Sequence, residues 1–293
     1  MSAYHLFLWG SRIAPLLPER PVYWVCKLIG IVLYYLMPAK RRVVLCNLSY
    51  ALADKPLKER KKVARGIFHH FLLNYYDLLR VTKIPHDKLG RMITVTGLPE
   101  VLEKAASLGK KGILIYTPHV GSFSLCGQVC SYNDVDMYLL VEPIEPPELF
   151  DLIRSLRQFD PRCHTISVSS PEMRQIFRAV KQPRNLICSA IDRDVIGNGV
   201  EQEFFGAKAK LPMGTADLAL RTGAPVATVN VYRKGLKYYI DFNKDDMFIP
   251  ENTGDREADV ARIASRMTGE IEKMIRRTPE QWVVMQPIWP DCE

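Results

Sequence analysis

The chain has 293 residues, 47% of them hydrophobic, and 40 Lys and Arg against 32 Asp and Glu give it a formal net charge of +8. That length can bury a large core, and the composition excludes a disordered or collagen-like chain. No glycine- or serine-rich linker divides it, so the expected organisation is an apolar, membrane-associating segment over 1–40 and one α/β domain over 41–293.

The first apolar run, Val22 to Met37, has 16 residues and includes Lys27, whereas a spanning helix needs about 20. No small-residue cleavage site follows it and the flanking charge lies on its C-terminal side, which argues against a secretory signal peptide. It reads as a helix that dips into the bilayer interface or packs on the body, with a short tilted span as the alternative. Between Lys40 and Arg65, nine Lys or Arg stand against two acids, a net +7. Basic residues beside an apolar segment are drawn to an anionic leaflet by about 1 kcal/mol per charge near the surface. Clustered Lys and Arg also neutralise nucleic-acid phosphates, but no helix-turn-helix, zinc-finger or RNA-recognition signature is present. An anionic membrane surface is therefore the expected partner, and nucleic acid is not.

From Leu57 to Leu79, Val63, Ile67, Phe71, Tyr75 and Leu78 recur at helical spacing, the pattern of a core-facing stripe. Strands are predicted at Met92–Thr96, Gly112–Thr117, Met137–Val141, Leu186–Ile191, Pro225–Val231 and Lys237–Phe242. Ser170-Pro171-Glu172 has the pattern of an N-cap, a proline at the first helical position and an early acid, opening a helix to about Lys181. A long amphipathic helix is predicted from Glu257 to Arg277, with Val260, Ile263, Met267, Ile271 and Met274 on one face. This alternation predicts an α/β fold, a largely parallel central sheet flanked by helices, with an N-terminal apolar helical appendage. The seven cysteines (26, 46, 126, 130, 163, 188 and 292) are scattered, without a CxxC pair or a metal-ligand spacing. They read as free thiols in a reducing, cytoplasmic-side location.

Three strands lead to a chemically capable side chain: His119 after Thr117, Asp192 after Ile191, and Arg233 after Val231-Tyr232. If these strands lie side by side and parallel, the three side chains collect at the carboxyl edge of the sheet, where open α/β folds bind ligands. His119 sits in Thr117-Pro-His-Val-Gly-Ser-Phe-Ser124, and an imidazole there suits proton transfer near neutral pH. Asp192-Arg193-Asp194 reads either as site residues or as a turn held by Asx-type hydrogen bonds. Phe204-Phe205 reads as core or as an acyl-chain wall, and Arg233 as an anion ligand or a solvated strand-end charge.

These segments, taken in order, resemble the lysophospholipid acyltransferase superfamily, in the branch of bacterial lipid A biosynthesis and phosphatidylinositol mannoside acyltransferases. The resemblance rests on Arg41-Arg42 with Asn47-Leu48, the His119 segment, and Asp192-Arg-Asp194 with Gly199-Val-Glu201 and Phe204-Phe-Gly206. It continues in Leu211-Pro-Met-Gly214, Leu218-Ala-Leu-Arg-Thr-Gly-Ala-Pro225, and Pro279-Glu-Gln-Trp282 with Trp289. It implies that His119 is the general base that takes the acceptor hydroxyl's proton and that an acid orients its ring. The family places that acid five residues after the His, where this chain has Ser124, and Ser122 replaces the motif's Asn. Serine can donate or accept a hydrogen bond but supplies no charge. The resemblance therefore points to Glu201, ahead of Asp192, as the partner of His119. It implies substrate-binding roles for Arg233, Asp194, Gly121, Ser122, Phe205 and Gly214.

The function expected is that of a membrane-associated O-acyltransferase on the cytoplasmic face of the plasma (inner) membrane. It moves a fatty acyl group from acyl-CoA or acyl-carrier protein to a glycolipid or phospholipid hydroxyl of the lipid A or phosphatidylinositol-mannoside type. No metal or tightly held cofactor is implied. The alternative is a non-catalytic lipid-binding protein of the same fold that has lost its acid at Ser124.

Overall fold

The computed structural model describes residues 3–110, 112–158 and 160–292; the outermost boundaries of the two expected segments lie outside them. Four helices come first: α1 (Ala3–Ile13), α2 (Glu19–Leu36), α3 (Pro38–Ala51) and α4 (Leu57–Arg80). The alternating part follows with α5 (His86–Met92), β1 (Ile93–Thr96), α6 (Leu98–Ser107), β2 (Ile113–Thr117), a 3₁₀ turn (Phe123–Gln128) and α7 (Val129–Tyr132). Next come β3 (Asp136–Val141), α8 (Pro147–Arg157), β4 (Cys163–Ser167), α9 (Arg174–Ala179) and β5 (Asn185–Ala190). The chain closes with β6 (Val200–Phe204), β7 (Ala207–Leu211), α10 (Gly214–Thr222), β8 (Val226–Lys234), β9 (Lys237–Phe248) and α11 (Arg256–Arg277).

Seven strands form one sheet in the order β1-β9-β8-β2-β5-β3-β4, and β6 and β7 form a separate antiparallel pair. β8, β2, β5, β3 and β4 run parallel, while β9 turns back antiparallel to β8 and β1 follows β9. β2 is buried at all five positions, as a central strand covered on both faces must be. Two core layers flank the sheet, one containing Ile263, Met267 and Ile271 of α11, the other Leu98 and Val101 of α6. All six predicted strands are present. β4 and the β6–β7 hairpin were not foreseen. The Ser170 cap forms as expected, its side chain accepting from Glu172 N–H at 3.1 Å, but it opens a 3₁₀ turn that only then becomes α9.

The N-terminal helices lie on α4. A Cβ on Gly30 of α2 would stand 2.8 Å from the His69 backbone nitrogen, so the two helices approach at backbone distance and the position admits only glycine. Tyr34 and Cys26 fill the same seam, while Trp24, Leu28, Val32 and Leu36 of α2 are exposed. α1 has no fully buried residue and exposes Leu6, Trp9 and Ile13. Among the described residues no single helix is long and apolar enough to cross a membrane; α2 and α3 together would be, but they bend by 97° at their junction. The expectation of seven free thiols is corrected: Cys46 of α3 and Cys292 form a disulfide across 246 residues, and the other five cysteines are free and buried. A pair so far apart in sequence is joined by the fold and leaves no trace in local spacing, and with it the cysteine argument for a reducing compartment falls.

Candidate active site

The register of β2 and β5 builds the site. Thr117 and Ala190 are paired across the two parallel strands, so residues two positions further on, His119 and Asp192, leave the sheet edge side by side. His119 Nδ1 lies 2.6 Å from Asp192 Oδ1, and the His119 backbone N–H donates to Asp192 Oδ2 at 2.9 Å. Trp282 Nε1 also donates to Oδ2, at 2.8 Å. Asp192 has no exposed surface. Burial alone would raise its carboxyl, but the charge of His119 and the hydrogen bonds from His119 and Trp282 outweigh that and hold it below its ordinary value. An ionised Asp192 keeps the proton on Nδ1 and leaves Nε2 as the ring's free base.

The turn after His119 is fixed by backbone contacts. Gly121 has φ of +60°, and a Cβ there would meet Val231 O at 2.6 Å and Tyr232 Cα at 2.8 Å. Gly121 N–H donates to Gln281 O at 2.8 Å, and Val283 N–H to His119 O at 2.9 Å. The C-terminal segment thus runs as a short strap beside the His119 turn. Gln281 locks this strap to β8, its side chain accepting from Arg233 N–H at 2.8 Å and donating to Arg233 O at 2.9 Å. Asn47 holds the far end through Gln286 O at 2.8 Å and Ile288 N–H at 3.3 Å, which gives the Asn47-Leu48 element a physical task.

Beneath the turn lies a buried charged hub. Asp77 of α4 accepts from Ser122 Oγ at 2.6 Å on Oδ2, and from Tyr238 OH at 2.6 Å and Arg233 Nη2 at 3.0 Å on Oδ1. Arg80 joins through Asp77 and carries the network to Glu19 of α2 at 2.9 Å. Burial opposes the charge on Arg233, but Asp77 and Tyr238 more than offset it and raise its pKa.

His119 opens onto a cavity of about 420 Å³. Its walls are mainly apolar, with Phe71, Tyr75 and Leu78 from α4, Leu139 and Leu140 from β3, Leu149 and Ile153 from α8, and Phe7 from α1. Thr117, Asn74 and Ser124 add neutral polar groups, while Arg157, Arg193 and Glu142 form a charged wall. Arg193 is paired to Glu142 at 2.7 Å, and the buried Nε atoms of both arginines have no partner among the described residues.

The expected partner of His119 is therefore corrected. Glu201 stands exposed on β6, paired with Lys208 of β7 at 2.6 Å, while Asp192 is on the imidazole. Glu201 belongs to an antiparallel hairpin outside the main sheet, so no strand edge delivers it to His119. Asp194 follows the turn reading, its carboxylate capping Gly197 N–H at 2.9 Å and Gly199 N–H at 2.7 Å. Phe205 is core, packed against Trp282 and Trp289 and away from the cavity. Gly214 begins α10, also outside the cavity lining. Arg233 is neither solvated nor free for an anion; it is 4% exposed and bound to Asp77. Gly121 and Ser122 shape and anchor the His119 turn, and Ser124 lines the cavity. Sequence reasoning missed Asp77, Trp282 as an Asp192 ligand, and the Glu142, Arg157 and Arg193 wall. Asp77 was legible only as a polar position within an apolar helix, four residues after Leu73 and one before Leu78.

The chain matches the family described as bacterial lipid A biosynthesis acyltransferase over residues 2–290, and it belongs to that family. It is 24% identical over 216 residues to a phosphatidylinositol mannoside acyltransferase of Mycobacterium tuberculosis (strain H37Rv), covering 73% of this chain and 66% of that protein. It is 22% identical over 246 residues to a phosphatidylinositol mannoside acyltransferase of Mycolicibacterium smegmatis, covering 83% of this chain and 77% of the relative. The chain thus spans just under two thirds of the length of the Mycobacterium tuberculosis relative.

Proposed function

We propose that this member of the lipid A biosynthesis acyltransferase family is a membrane-associated O-acyltransferase. It would transfer a fatty acyl group from a thioester, acyl-CoA or acyl-carrier protein, to a hydroxyl on a glycolipid or phospholipid acceptor. The observation that carries this reading is the His119–Asp192 pair at the wall of an apolar cavity. Nε2 of His119 would take the proton of the acceptor hydroxyl as its oxygen attacks the thioester carbonyl. The thiolate would then leave and receive that proton from the imidazolium. Asp192, ionised and buried, would stabilise the imidazolium between the two transfers. A thioester is already activated, so orientation and a base supply most of what the reaction needs.

The apolar walls suit an acyl chain, and the arginine wall suits an anionic part of either substrate. Both known features of the relatives' names fit: the acceptor would be of the phosphatidylinositol-mannoside or lipid A type. The exposed apolar faces of α1 and α2 beside the basic block support docking on the anionic cytoplasmic leaflet of the plasma (inner) membrane. Phe7 lines the cavity from α1 while Trp9 of the same helix is exposed, so a docked α1 would stand between lipid and cavity. The alternative, a lipid-binding protein without chemistry, rests on the missing acid at position 124, but Asp192 supplies a carboxylate on the imidazole. The test is transfer of radiolabelled acyl groups from acyl-CoA and from acyl-carrier protein to extracted membrane lipids. Labelled lipid product is expected with one donor, and its absence with both overturns the reading.

A further inference from the structure

The seam between α4 and the turn after His119 holds one closed polar pair, and near it two polar side chains with an unpaired oxygen. Asp77 and Ser122 form the closed pair with a 2.6 Å hydrogen bond. Asn74, three residues earlier on α4, and Ser124, two residues after Ser122, each keep a side-chain oxygen unpaired. Asn74 is 5% and Ser124 6% exposed, and both line the cavity with His119. Asn74 Oδ1 and Ser124 Oγ have no hydrogen-bond partner among the described residues. An unpaired buried polar atom is costly, and each one in a native fold calls for an explanation such as a catalytic role. Phe71, Leu78 and Phe123 line the same cavity and add apolar wall.

We infer that Ser124 and Asn74 form the oxyanion site of the acyl transfer, donating hydrogen bonds to the thioester oxygen as it becomes negative; this rests on the function proposed above. When the acceptor oxygen bonds to the carbonyl carbon, the C=O π pair moves onto that oxygen and the acceptor proton moves to His119 Nε2. When the C–S bond breaks, the pair returns to re-form the carbonyl, and the thiolate leaves with the C–S electrons and takes the proton from His119. Ser124 Oγ–H is a donor in place. The Asn74 amide turns either Oδ1 or Nδ2 to the cavity by a half-turn about Cβ–Cγ, and an oxyanion selects Nδ2. The departure from the family pattern then has a chemical meaning. With Asp192 supplying the negative charge behind the imidazole, a carboxylate at position 124 would repel the oxyanion, whereas a hydroxyl stabilises it.

The experiment measures thiol release from palmitoyl-CoA and palmitoyl-carrier protein, with and without a lipid acceptor, together with thermal melts. The proteins are wild type, Ser124→Ala, Ser124→Asp, Asn74→Leu and Arg157→Gln. Ser124→Ala is expected to lower kcat about 10²-fold with KM within about twofold of wild type. Its melting temperature is expected to be unchanged or higher, because no hydrogen bond of the free protein is lost. Ser124→Asp is expected to fall at least as far. Wild-type kcat in Ser124→Ala, or a higher kcat in Ser124→Asp, overturns the inference. So does a lowered melting temperature with unchanged kcat, which marks a structural hydroxyl. If Ser124→Ala and Asn74→Leu are silent while Arg157→Gln lowers kcat at constant KM, the oxyanion lies against Arg157 instead. If wild type releases no thiol from either donor, the acyl-transfer reading fails and the inference with it.

Discussion

Asp192 grips His119 twice, once at the imidazole Nδ1 and once at the backbone N–H, through its two carboxylate oxygens. The double contact fixes both the position of the turn and the tautomer of the ring it carries. Trp282 donates to the same carboxylate from the C-terminal strap, so the acid is held by two elements that are distant in sequence. A buried carboxylate with three donors has no competing rotamer and stays ionised.

From that geometry, His119→Ala should lower turnover by about 10² to 10⁴, the usual contribution of general acid-base catalysis. Asp192→Asn should approach the same loss, since an asparagine neither holds the charge nor fixes the tautomer. The double variant should lose little more, because members of one catalytic unit are not additive. Additive losses in steady-state assays of the three variants would separate the two residues.

Glu201→Gln should leave kcat within about twofold of wild type, because its carboxylate pairs with Lys208 on an exposed hairpin and exposed pairs contribute little. A loss comparable with that of His119→Ala would mean that β6 swings onto the imidazole during the reaction.

The comparison of Glu201 with Asp192 shows how far the sequence could be read. The strand patterns at Gly112–Thr117 and Leu186–Ile191 marked His119 and Asp192 as strand-end residues, and only the parallel register was needed to bring them together. Motif spelling drew attention to Glu201 but carries no information on which sheet a strand joins. The β6–β7 hairpin did leave a signal, the alternation in Ala207-Lys-Ala-Lys-Leu211. β4, Cys-His-Thr-Ile-Ser, mixes polar and apolar residues at a sheet edge and left almost none. Asp77 and Arg233 are 156 positions apart and look like unrelated charges until the fold buries them face to face.

That buried hub sets a stability prediction. Asp77→Ala removes the acceptor shared by Ser122, Tyr238 and Arg233 and leaves buried cations behind. Breaking such a pair from one side costs about 3–5 kcal/mol. A denaturant titration should therefore show a large drop in midpoint at unchanged slope. An unchanged midpoint would mean that water replaces Asp77 without cost.

Acid should loosen the α2–α4 seam as pH falls below about 6.5. Burial pushes His69, whose ring contacts Tyr23 O at 3.3 Å, down to about 4, helped by the charges of Arg233 and Lys27 and opposed by the Tyr23 carbonyl. Burial likewise pushes His70 down to about 3, with His69 and Arg233 adding to the shift. Both prefer the neutral form when folded, while the unfolded chain takes up protons from about pH 6.5. Stability from this source is complete above about pH 6.5 and is lost as pH falls from there toward about 4 and 3. The melting temperature should decline over this range, and His69→Gln should flatten the decline. Equal slopes in wild type and variant would assign the effect elsewhere.

The N-terminal helices should bind anionic membranes by two separable forces. Trp24, Leu28 and Leu36 of α2 are 60%, 65% and 71% exposed, and Trp9 of α1 is 51% exposed, more apolar surface than an isolated soluble face needs. Lys58, Arg60, Lys61 and Lys62 lie together at the start of α4 and add attraction that salt screens with a Debye length of about 10 Å at 0.1 M. Changing the four basic residues to Gln should weaken binding to phosphatidylglycerol vesicles at least tenfold, at about 1 kcal/mol per charge as the upper range. High salt should weaken wild type similarly and the variant hardly at all. Trp24→Ser with Leu28→Ser should weaken binding at low and high salt alike, since apolar burial is not screened. Co-sedimentation across a salt series separates the contributions. Wild-type binding that resists salt and is unchanged by loss of the basic residues would mean that α2 and α3 insert as a bent pair, with the 97° turn held inside the bilayer.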